Sequence, residues 1–147
     1  MHMSDVTTFD IQVVQWPAHA VTLQAIRRTV FVVEQHVPEE EEWDDQDAVS
    51  QHLLALAHGV PVGTGRLLPD GHIGRMAVLK PWRGQGVGRA LLAALLAIAR
   101  RRGFIEAVLH AQTHALNFYK KQGFLESGPE FMEAGIPHRV MRLKLQD

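Results

Sequence analysis

The chain reads Arg83-Gly84-Gln85-Gly86-Val87-Gly88-Arg89 at the point where a predicted strand gives way to a long predicted helix. Glycines have no Cβ, so an anion can approach several backbone N–H groups, and the positive end of a helix dipole favours negative charge at the same place. The flanking arginines favour this interpretation over that of a simple connecting turn. The stretch therefore predicts an anion-binding loop of the kind that holds a phosphate group.

The chain before this loop predicts antiparallel strands. Alternating apolar and polar residues predict a first strand at about 8–16. Two apolar runs, at 53–57 and 62–68, are separated by turn residues, and Pro69-Asp70-Gly71 leads into a further strand at about 72–79. These three segments predict an antiparallel meander.

The chain after the loop predicts one crossover and a closing hairpin. A helix carries the apolar run 90–99 and ends with three arginines and Gly103, which suit the C-terminal end of a helix. A fifth strand at 104–110, a helix at 113–121 and closing strands from Gly123 follow. The elements together predict an α+β domain, mostly antiparallel, with one strand–helix–strand crossover.

Two further segments lie between the first strand and the meander. Leu23, Ile26, Val30 and Val33 recur at helical spacing, which predicts a helix running to about Gln35. Residues 38–47 then contain seven carboxylates, and their mutual repulsion disfavours compact structure unless a cation faces them. We interpret this acidic segment as a solvated loop, with a patch that attracts a cationic substrate as the alternative.

Composition limits the class of protein. The 147 residues, 46% of them hydrophobic, predict a single domain over residues 1–147, and we expect residues 1–6 to be disordered or partly an expression remnant. The net charge of -1 argues against nucleic-acid binding, and no apolar run approaches the roughly 20 residues that span a bilayer. Without cysteine, thiolate chemistry is excluded. We expect a cytoplasmic protein that binds neither nucleic acid nor membrane and holds no metal.

The alternating glycines also suit a nucleotide or S-adenosylmethionine site in a doubly wound domain, with Glu106 about twenty residues further on. Two observations oppose this alternative. Too few residues remain after His110 for the additional strands, and Gly84-x-Gly86-x-x-Arg89 departs from the dinucleotide fingerprint. Glu106 is interpreted as a surface position.

Two motifs resemble those of the GNAT N-acetyltransferases. Arg83-Gly84-Gln85-Gly86-Val87-Gly88 resembles the family's Arg/Gln-x-x-Gly-x-Gly/Ala loop, and a second motif is similar over residues 112–124. Three shorter stretches look like the ElaA-like branch: residues 30–35, residues 110–112 and Gly135-Ile136-Pro137-His138. The resemblance implies the GNAT fold, with six to seven strands splayed between strands 4 and 5 and helices on either side.

The resemblance also implies a site for acetyl-CoA in that splay. The pantetheine arm is expected along strand 4, with the pyrophosphate on the backbone N–H groups of the glycine loop. Gln112, where the family often has Asn, and Asn117 are further candidates for cofactor contacts. The expected cofactor-binding residues are Met76, Ala77, Val78, Arg83, Gly84, Gln85, Gly86, Val87, Gly88, Arg89, Gln112 and Asn117.

The resemblance implies direct acetyl transfer. Tyr119 matches the family's tyrosine and is expected to act on the departing thiolate as a general acid or hydrogen-bond donor. Glu34 and His138 are the first candidates for the general base, with His110 and Glu39 to Glu42 behind them. Glu41, Phe131 and His138 are expected to contact the acceptor.

The function expected from these residues is transfer of an acetyl group from acetyl-CoA to a primary amine of a small molecule or peptide. Two alternatives remain open: an S-adenosylmethionine-dependent methyltransferase and a CoA-binding sensor without turnover. The edge strands predicted for the sheet suit a homodimer.

Overall fold

The structure, a computed structural model, describes residues 8–147, so the expectation for residues 1–6 lies outside the described part. Within these residues, seven strands form one sheet and four α-helices accompany it. The strands are β1 (Asp10–Val14), β2 (Gln51–Ala57), β3 (Val60–Leu67), β4 (His72–Val78), β5 (Glu106–Gln112), β6 (Leu125–Glu133) and β7 (Ile136–Lys144). The α-helices are α1 (Trp16–Arg27), α2 (Glu39–Glu42), α3 (Val87–Arg101) and α4 (Leu116–Lys121).

The sheet has the order β1-β2-β3-β4-β5-β7-β6. All neighbouring pairs are antiparallel except β4 and β5, which α3 connects as a crossover. The predicted meander, the crossover and the α+β class are confirmed. β1 and β6 are the edge strands, and the expected homodimer stays a prediction. None of the helices between residues 8 and 147 combines the length and the apolar character that a bilayer crossing requires.

The sheet splits between β4 and β5. These strands pair only at His72 with Val108 and at Ile73 with Leu109. A β-bulge then interrupts the pairing of β4 with β3, and Arg75 has a φ of 50° in this irregular stretch. A bulge bends its strand, so the second half of β4 turns away from β5. β5 continues alongside β7, and a gap opens between the two diverging strands.

Two glycines of β3 bring α3 close to the sheet. A Cβ on Gly65 would lie 3.0 Å from the Leu95 side chain, and one on Gly63 would lie 3.2 Å from Leu91. The apolar face of α3 packs here, with Leu91 and Leu95 fully buried. Because α3 lies close against β3, its N-terminus is held beside the end of β4.

The first helix differs from its prediction. β1 ends at Val14, and α1 already begins at Trp16 because Pro17 suits the first turn of a helix. From Arg28 to Glu34 the backbone is π-helical, with the Gln35 N–H donating to the Val30 carbonyl. The wider turn rotates later side chains relative to an α-helix. Val33, predicted on the apolar face, is therefore 65% exposed.

The acidic segment is not a solvated loop. Residues Glu39–Glu42 form α2, and Glu42 and Asp47 are buried. The cations that face them come from three other elements: Arg27 of α1, Arg66 of β3 and Arg75 of β4. The prediction of a loop was wrong because these partners are distant in sequence and only the fold brings them together.

Arg27 lies at the centre of this charge cluster and is 1% exposed. Its guanidinium donates to Glu42 Oε2 and to Asp47 Oδ1, both at 2.8 Å, and lies between the rings of Trp16 and Trp43. Burial raises the pKa of Glu42, although the neighbouring arginines act in the opposite direction. The cluster fixes the acidic segment against the sheet.

His52 of β2 gives the cluster a dependence on pH. Its Nε2 donates to the Asp47 carbonyl oxygen at 2.7 Å, and burial lowers the pKa of this imidazole below its usual 6.5. Below pH ~6.5 the unfolded chain therefore takes up a proton at His52 that the folded chain does not. As the pH decreases, this residue lowers the free energy of unfolding by up to about 1.4 kcal/mol per pH unit.

The contribution of His52 to this pH dependence can be tested by urea unfolding of the wild type and of His52→Gln between pH 8 and 5. The glutamine variant should be less stable at pH 8, and the difference should shrink as the pH falls below about 6.5. A difference that stays constant across the range would show that His52 does not contribute to the acid lability.

Candidate active site

A cavity of about 610 Å³ opens beside the gap between β4 and β5. Its walls come from α2, the first half of β4, the end of β5 and the β6–β7 hairpin, with Tyr119 of α4 at one end. This volume lies in the range of small-molecule sites. The cavity is lined by seven of the predicted site residues: Glu41, Glu42, Met76, His110, Gln112, Tyr119 and His138.

The glycine loop leads into α3. Gly84 and Gly86 have φ values of 76° and 89°, and a Cβ on either would meet no atom within 4 Å. Gly86 is the N-cap of α3, and no side chain within residues 8–147 caps this end. The first N–H groups of a helix have no intrahelical partner, so the loop leaves donors and open space for an anion.

Gly88 packs against neighbouring side chains, whereas Gly84 and Gly86 face open space. A Cβ on Gly88 would lie 3.6 Å from the Phe118 ring and 3.8 Å from the Val78 side chain. Its lack of a side chain lets α3 approach α4 and the end of β4. Gln85 is turned toward the preceding residues, where its side chain donates to the Pro81 carbonyl, and Val87 is buried.

Arg83 and Glu34 form a bidentate ion pair with N–O distances of 2.6 and 2.8 Å. The Arg83 Nε also donates to the Val78 carbonyl oxygen, so this guanidinium links the π-helical segment to the end of β4. The hydrogen bonds from Arg83 lower the pKa of Glu34. A weakened base outside the cavity lining is poorly suited to proton abstraction, which counts against the predicted role of Glu34.

Arg89 is the cation of the loop that no other group within residues 8–147 engages. It is exposed in the first turn of α3, and within the described part of the chain it makes no ion pair. Of the two arginines predicted to face a pyrophosphate, Arg89 is therefore the one whose charge is available.

Backbone groups of β4 face the gap. Leu79 donates to the Val62 carbonyl, toward β3, whereas the Val78 carbonyl points away from β3 and accepts from Arg83. Backbone groups alternate along a strand, so those of Met76 lie on the same side as Val78 and those of Ala77 face β3. Met76 and Val78 are thus placed to pair with an extended ligand.

Tyr119 lies at the boundary between the gap and the cavity. Its hydroxyl donates to Met76 Sδ at 3.9 Å, and its ring contacts those of Phe118 and Phe124. Burial raises the pKa of Tyr119 to about 12. The hydroxyl therefore stays protonated at neutral pH and has only a weak sulfur acceptor, which leaves it able to donate to a stronger one.

Gln112 and Asn117 differ in position. The Gln112 side-chain amide donates to Gln35 Oε1 at 2.8 Å, which joins the end of β5 to the π-helical segment. Asn117 is exposed on α4 and does not line the cavity.

Three histidines line one wall of the cavity. His72, His110 and His138 lie on β4, β5 and β7, and we refer to them as the histidine row. His110 Nδ1 donates to Glu133 Oε1 at 2.8 Å, and the Phe131 ring lies between His110 and His138 in edge-on and stacked contacts.

His138 has a defined tautomer. Its Nδ1 is 2.7 Å from the Ile136 carbonyl oxygen, which can only accept, so Nδ1 carries a proton. Its side chain is 7% exposed, and Nε2 lies 3.9 Å from Glu133 Oε2, beyond hydrogen-bond distance. In the neutral ring Nε2 therefore holds a lone pair toward the cavity.

Several of these residues were absent from the sequence predictions. Glu133, Asp70, His72 and Gln35 line the cavity, and Asp70 lies 3.0 Å from His72 Nδ1. Glu133, Asp70 and His72 belong to no binding motif, and Gln35 was noted only as part of the stretch 30–35. The fold brings these four residues to the cavity from distant parts of the chain. Within residues 8–147 no three histidine, aspartate or glutamate side chains are arranged to hold a metal ion.

Comparisons with known proteins agree with this geometry. A family model described as an acetyltransferase (GNAT) domain matches residues 17–145. The uncharacterized N-acetyltransferase YjcF of Bacillus subtilis (strain 168) is 43% identical over 120 residues, which cover 79% of this chain and 86% of the relative.

Two solved structures are also similar. An acyl-CoA N-acyltransferase from Pseudomonas aeruginosa superposes with a TM-score of 0.82 at 32% identity, and Escherichia coli ElaA superposes with 0.82 at 28%. Each comparison covers 92% of this chain and 99% of the other. The fold and the glycine loop thus define an acyltransferase domain, and the chain belongs to the GNAT acetyltransferase family. The predicted resemblance, including that to ElaA, is confirmed.

Proposed function

We propose that the protein is an N-acetyltransferase that moves an acetyl group from acetyl-CoA to a primary amine by direct attack. The observation that carries this proposal is the gap between β4 and β5, which has the glycine loop at one end and the cavity with Tyr119 at the other. The family uses acetyl-CoA or another acyl-CoA, and the name of YjcF as an N-acetyltransferase supports nitrogen as the acceptor atom.

The residues present fit acetyl-CoA. The open loop at Gly84 and Gly86 has room and donors for a pyrophosphate, and Arg89 supplies a positive charge that no ion pair within residues 8–147 compensates. The backbone of Met76 and Val78 would hold the pantetheine arm as an added strand. This arrangement directs the thioester toward Tyr119 and the cavity.

A primary amine must lose a proton before it attacks. A lysine-like amine with a pKa near 10.4 is neutral only about 0.04% of the time at pH 7, which corresponds to roughly 4–5 kcal/mol. We assign the proton acceptor to His138 Nε2, because its tautomer is fixed and its lone pair lies in the cavity. Phe131 orients this ring by stacking at a centroid distance of 5.9 Å.

Acetyl-CoA supplies the thioester: the amine nitrogen forms a bond to the acetyl carbon, the C–S bond breaks, and CoA leaves as a thiolate. Tyr119, with a pKa of about 12, holds its proton more tightly than an alkyl thiol with a pKa near 8.5. Full proton transfer to the thiolate would be about 5 kcal/mol uphill. Tyr119 therefore stabilises the thiolate by donating a hydrogen bond.

Family membership and topology oppose the methyltransferase alternative. In the described part of the chain only one pair of strands is parallel, whereas a doubly wound sheet needs several. A CoA-binding sensor would bind the same ligands as the proposed enzyme but would not transfer the acetyl group. The proton-accepting geometry of His138 favours the enzyme.

The proposed function is tested by thermal unfolding and by release of CoA thiol with a panel of primary amines. Acetyl-CoA at about 100 times its Kd should stabilise the fold by roughly 2.7 kcal/mol, and S-adenosylmethionine should have no effect. Stabilisation without thiol release for any amine would support the sensor, and stabilisation by S-adenosylmethionine alone would overturn the proposal.

The glycine loop offers a matched pair of variants for the binding step. Gly86→Val should lower affinity for CoA at least about tenfold, because the side chain would occupy the space in front of the α3 N–H groups. Gly59→Val carries a similar backbone strain, at a φ of 79° and with equally open surroundings, but lies in the β2–β3 turn. Equal affinity of the two variants for CoA, measured by calorimetry, would remove the loop from the binding site.

A further inference from the structure

We propose that Glu34 and Gln35 are positioning residues that hold β4 and β5 at the separation which acetyl transfer requires. Glu34 is the last residue of the π-helical segment and binds Arg83, on the β4 side of the gap. Gln35 follows it and binds Gln112, on the β5 side. We refer to these four residues as the clamp. The inference rests on the proposed function and adds positioning residues to it.

The clamp lies at the end of the stretch 30–35, which resembles the ElaA-like branch. Val30, at the start of this stretch, is buried and packs in one apolar cluster with Ala77 of β4, so the segment is fixed against the sheet. The wide turn is closed by the Gln35 N–H, which donates to the Val30 carbonyl. Neighbouring residues of a helix project in different directions. Glu34 and Gln35 can therefore reach different strands.

On the β4 side, the clamp fixes the end of the strand through Arg83. The bidentate ion pair with Glu34 orients the guanidinium, and its Nε donates to the Val78 carbonyl oxygen at 2.8 Å. A carbonyl oxygen has two lone pairs, so Val78 can accept from Arg83 and from a pantetheine amide at the same time. Arg83 also leads directly into the glycine loop. Glu34 thus acts on the part of the chain that is proposed to hold acetyl-CoA.

On the β5 side, the clamp reaches the strand next to the proposed proton acceptor. The Gln112 side-chain amide donates to Gln35 Oε1 at 2.8 Å, and Gln112 is the register partner of His138 on β7. β5 pairs with β7 from Glu106 to Gln112, along its whole length. Gln35 therefore ties down the side of the gap that bears His138.

The gap needs a link of this kind because its strands share few bonds. The paired residues of β4 and β5 are His72 with Val108 and Ile73 with Leu109, which lie away from the clamp. A thioester held by β4 and a base held by β7 belong to different halves of the sheet. A displacement of about 1 Å between reacting groups can lower a rate about 100-fold. The clamp joins the two halves where this distance is set.

The exposure of the ion pair assigns the clamp to positioning rather than to stability. The Glu34 and Arg83 side chains are each 38% exposed, and ion pairs at the surface contribute little to the free energy of unfolding. Removal of the clamp should therefore loosen the gap without unfolding the protein.

The first test removes both links in the double variant Glu34→Ala with Gln35→Ala. Release of CoA thiol with a saturating primary amine should show kcat lowered about 10- to 100-fold, because the reacting groups are no longer held in register. The Kd for acetyl-CoA, measured by calorimetry, should change less than about threefold, and urea stability should stay close to the wild type.

Glu106→Ala is the matched control. Glu106 is also an exposed carboxylate bound to an arginine, Arg142, at 2.7 Å, but it lies at the opposite end of β5 from Gln112. This variant should keep the kcat of the wild type. An equal loss of kcat in the control would show that the effect does not come from the clamp.

The second test measures the gap without turnover. The chain has no cysteine, so nitroxide labels can be attached at Val60→Cys on β3 and Lys121→Cys on α4, which follows β5. Both positions are exposed. Pulsed electron paramagnetic resonance gives the distribution of distances between the two labels. We expect this distribution to broaden when the clamp is removed and to stay the same in Glu106→Ala.

The two tests separate the clamp from the proposed function. An unchanged distance distribution in the double variant overturns the clamp. A broader distribution with unchanged kcat, or with equal losses of kcat and of affinity for acetyl-CoA, overturns the positioning role and leaves the acetyltransferase intact. A broader distribution without thiol release from the wild type for any amine supports the link between the strands and overturns the acetyltransferase.

Discussion

Replacing Arg27 with methionine should destabilise the folded protein by about 3–5 kcal/mol, among the largest effects expected for a single substitution. Arg27 is 1% exposed and neutralises Glu42 and Asp47, which are also buried. Methionine fills a similar volume but leaves these two carboxylates with fewer cationic partners inside the protein. The expected loss arises mainly from the uncompensated charge.

Arg28→Met is the matched control, because Arg28 is the next residue and also forms an ion pair, with Glu39, but at the surface. Surface ion pairs contribute little to stability, so this variant should unfold close to the wild type. Urea unfolding monitored by tryptophan fluorescence measures both variants, since Trp16 and Trp43 lie against Arg27. Equal stability of the two variants would contradict a structural role for the charge cluster.

Tyr119→Phe should lower kcat for acetyl transfer about 100- to 1000-fold, as expected when a hydrogen-bond donor to developing negative charge is removed. The ring contacts with Phe118 and Phe124 would be retained, so stability and affinity for acetyl-CoA should change little. The measurements are single-turnover acetyl transfer to a saturating amine and calorimetric binding of acetyl-CoA.

The size of the Tyr119 effect separates two roles for its hydroxyl. A loss of less than about threefold would show that the hydroxyl only fills space beside Met76 and that another donor stabilises the thiolate. A full loss with a CoA derivative whose leaving thiol has a lower pKa would also argue against the proposed role, because a less basic thiolate needs less stabilisation.

The sequence predicted the parts of the fold that local patterns encode. The meander follows from short apolar runs separated by turn residues, and the crossover follows from an amphipathic helix between two strands. The glycine loop was found by the same reasoning, because positive φ and close approach to a helix end require glycine at Gly84 and Gly86.

Features that depend on distant partners could not be predicted in this way. The acidic segment contains only like charges, and nothing near it in sequence shows that Arg66 and Arg75 will face it. The spacing of Val30 and Val33 fits an α-helix, and the π-helical turn that exposes Val33 depends on packing. Glu34 could be proposed as a base only while its partner Arg83, 49 residues away, was unknown.

The bulge at Arg75 has a consequence for protein engineering. A non-glycine residue at a φ of 50° costs about 1–3 kcal/mol, and here the ion pairs with Glu42 and Asp44 hold it in place. Thermostabilisation by relaxing this backbone, for instance with Arg75→Gly, would act on the same hinge that separates β4 from β5. Selection for higher thermal stability would thus favour substitutions that close the gap between β4 and β5. Stabilising substitutions are better placed at the β2–β3 turn, which is distant from this gap.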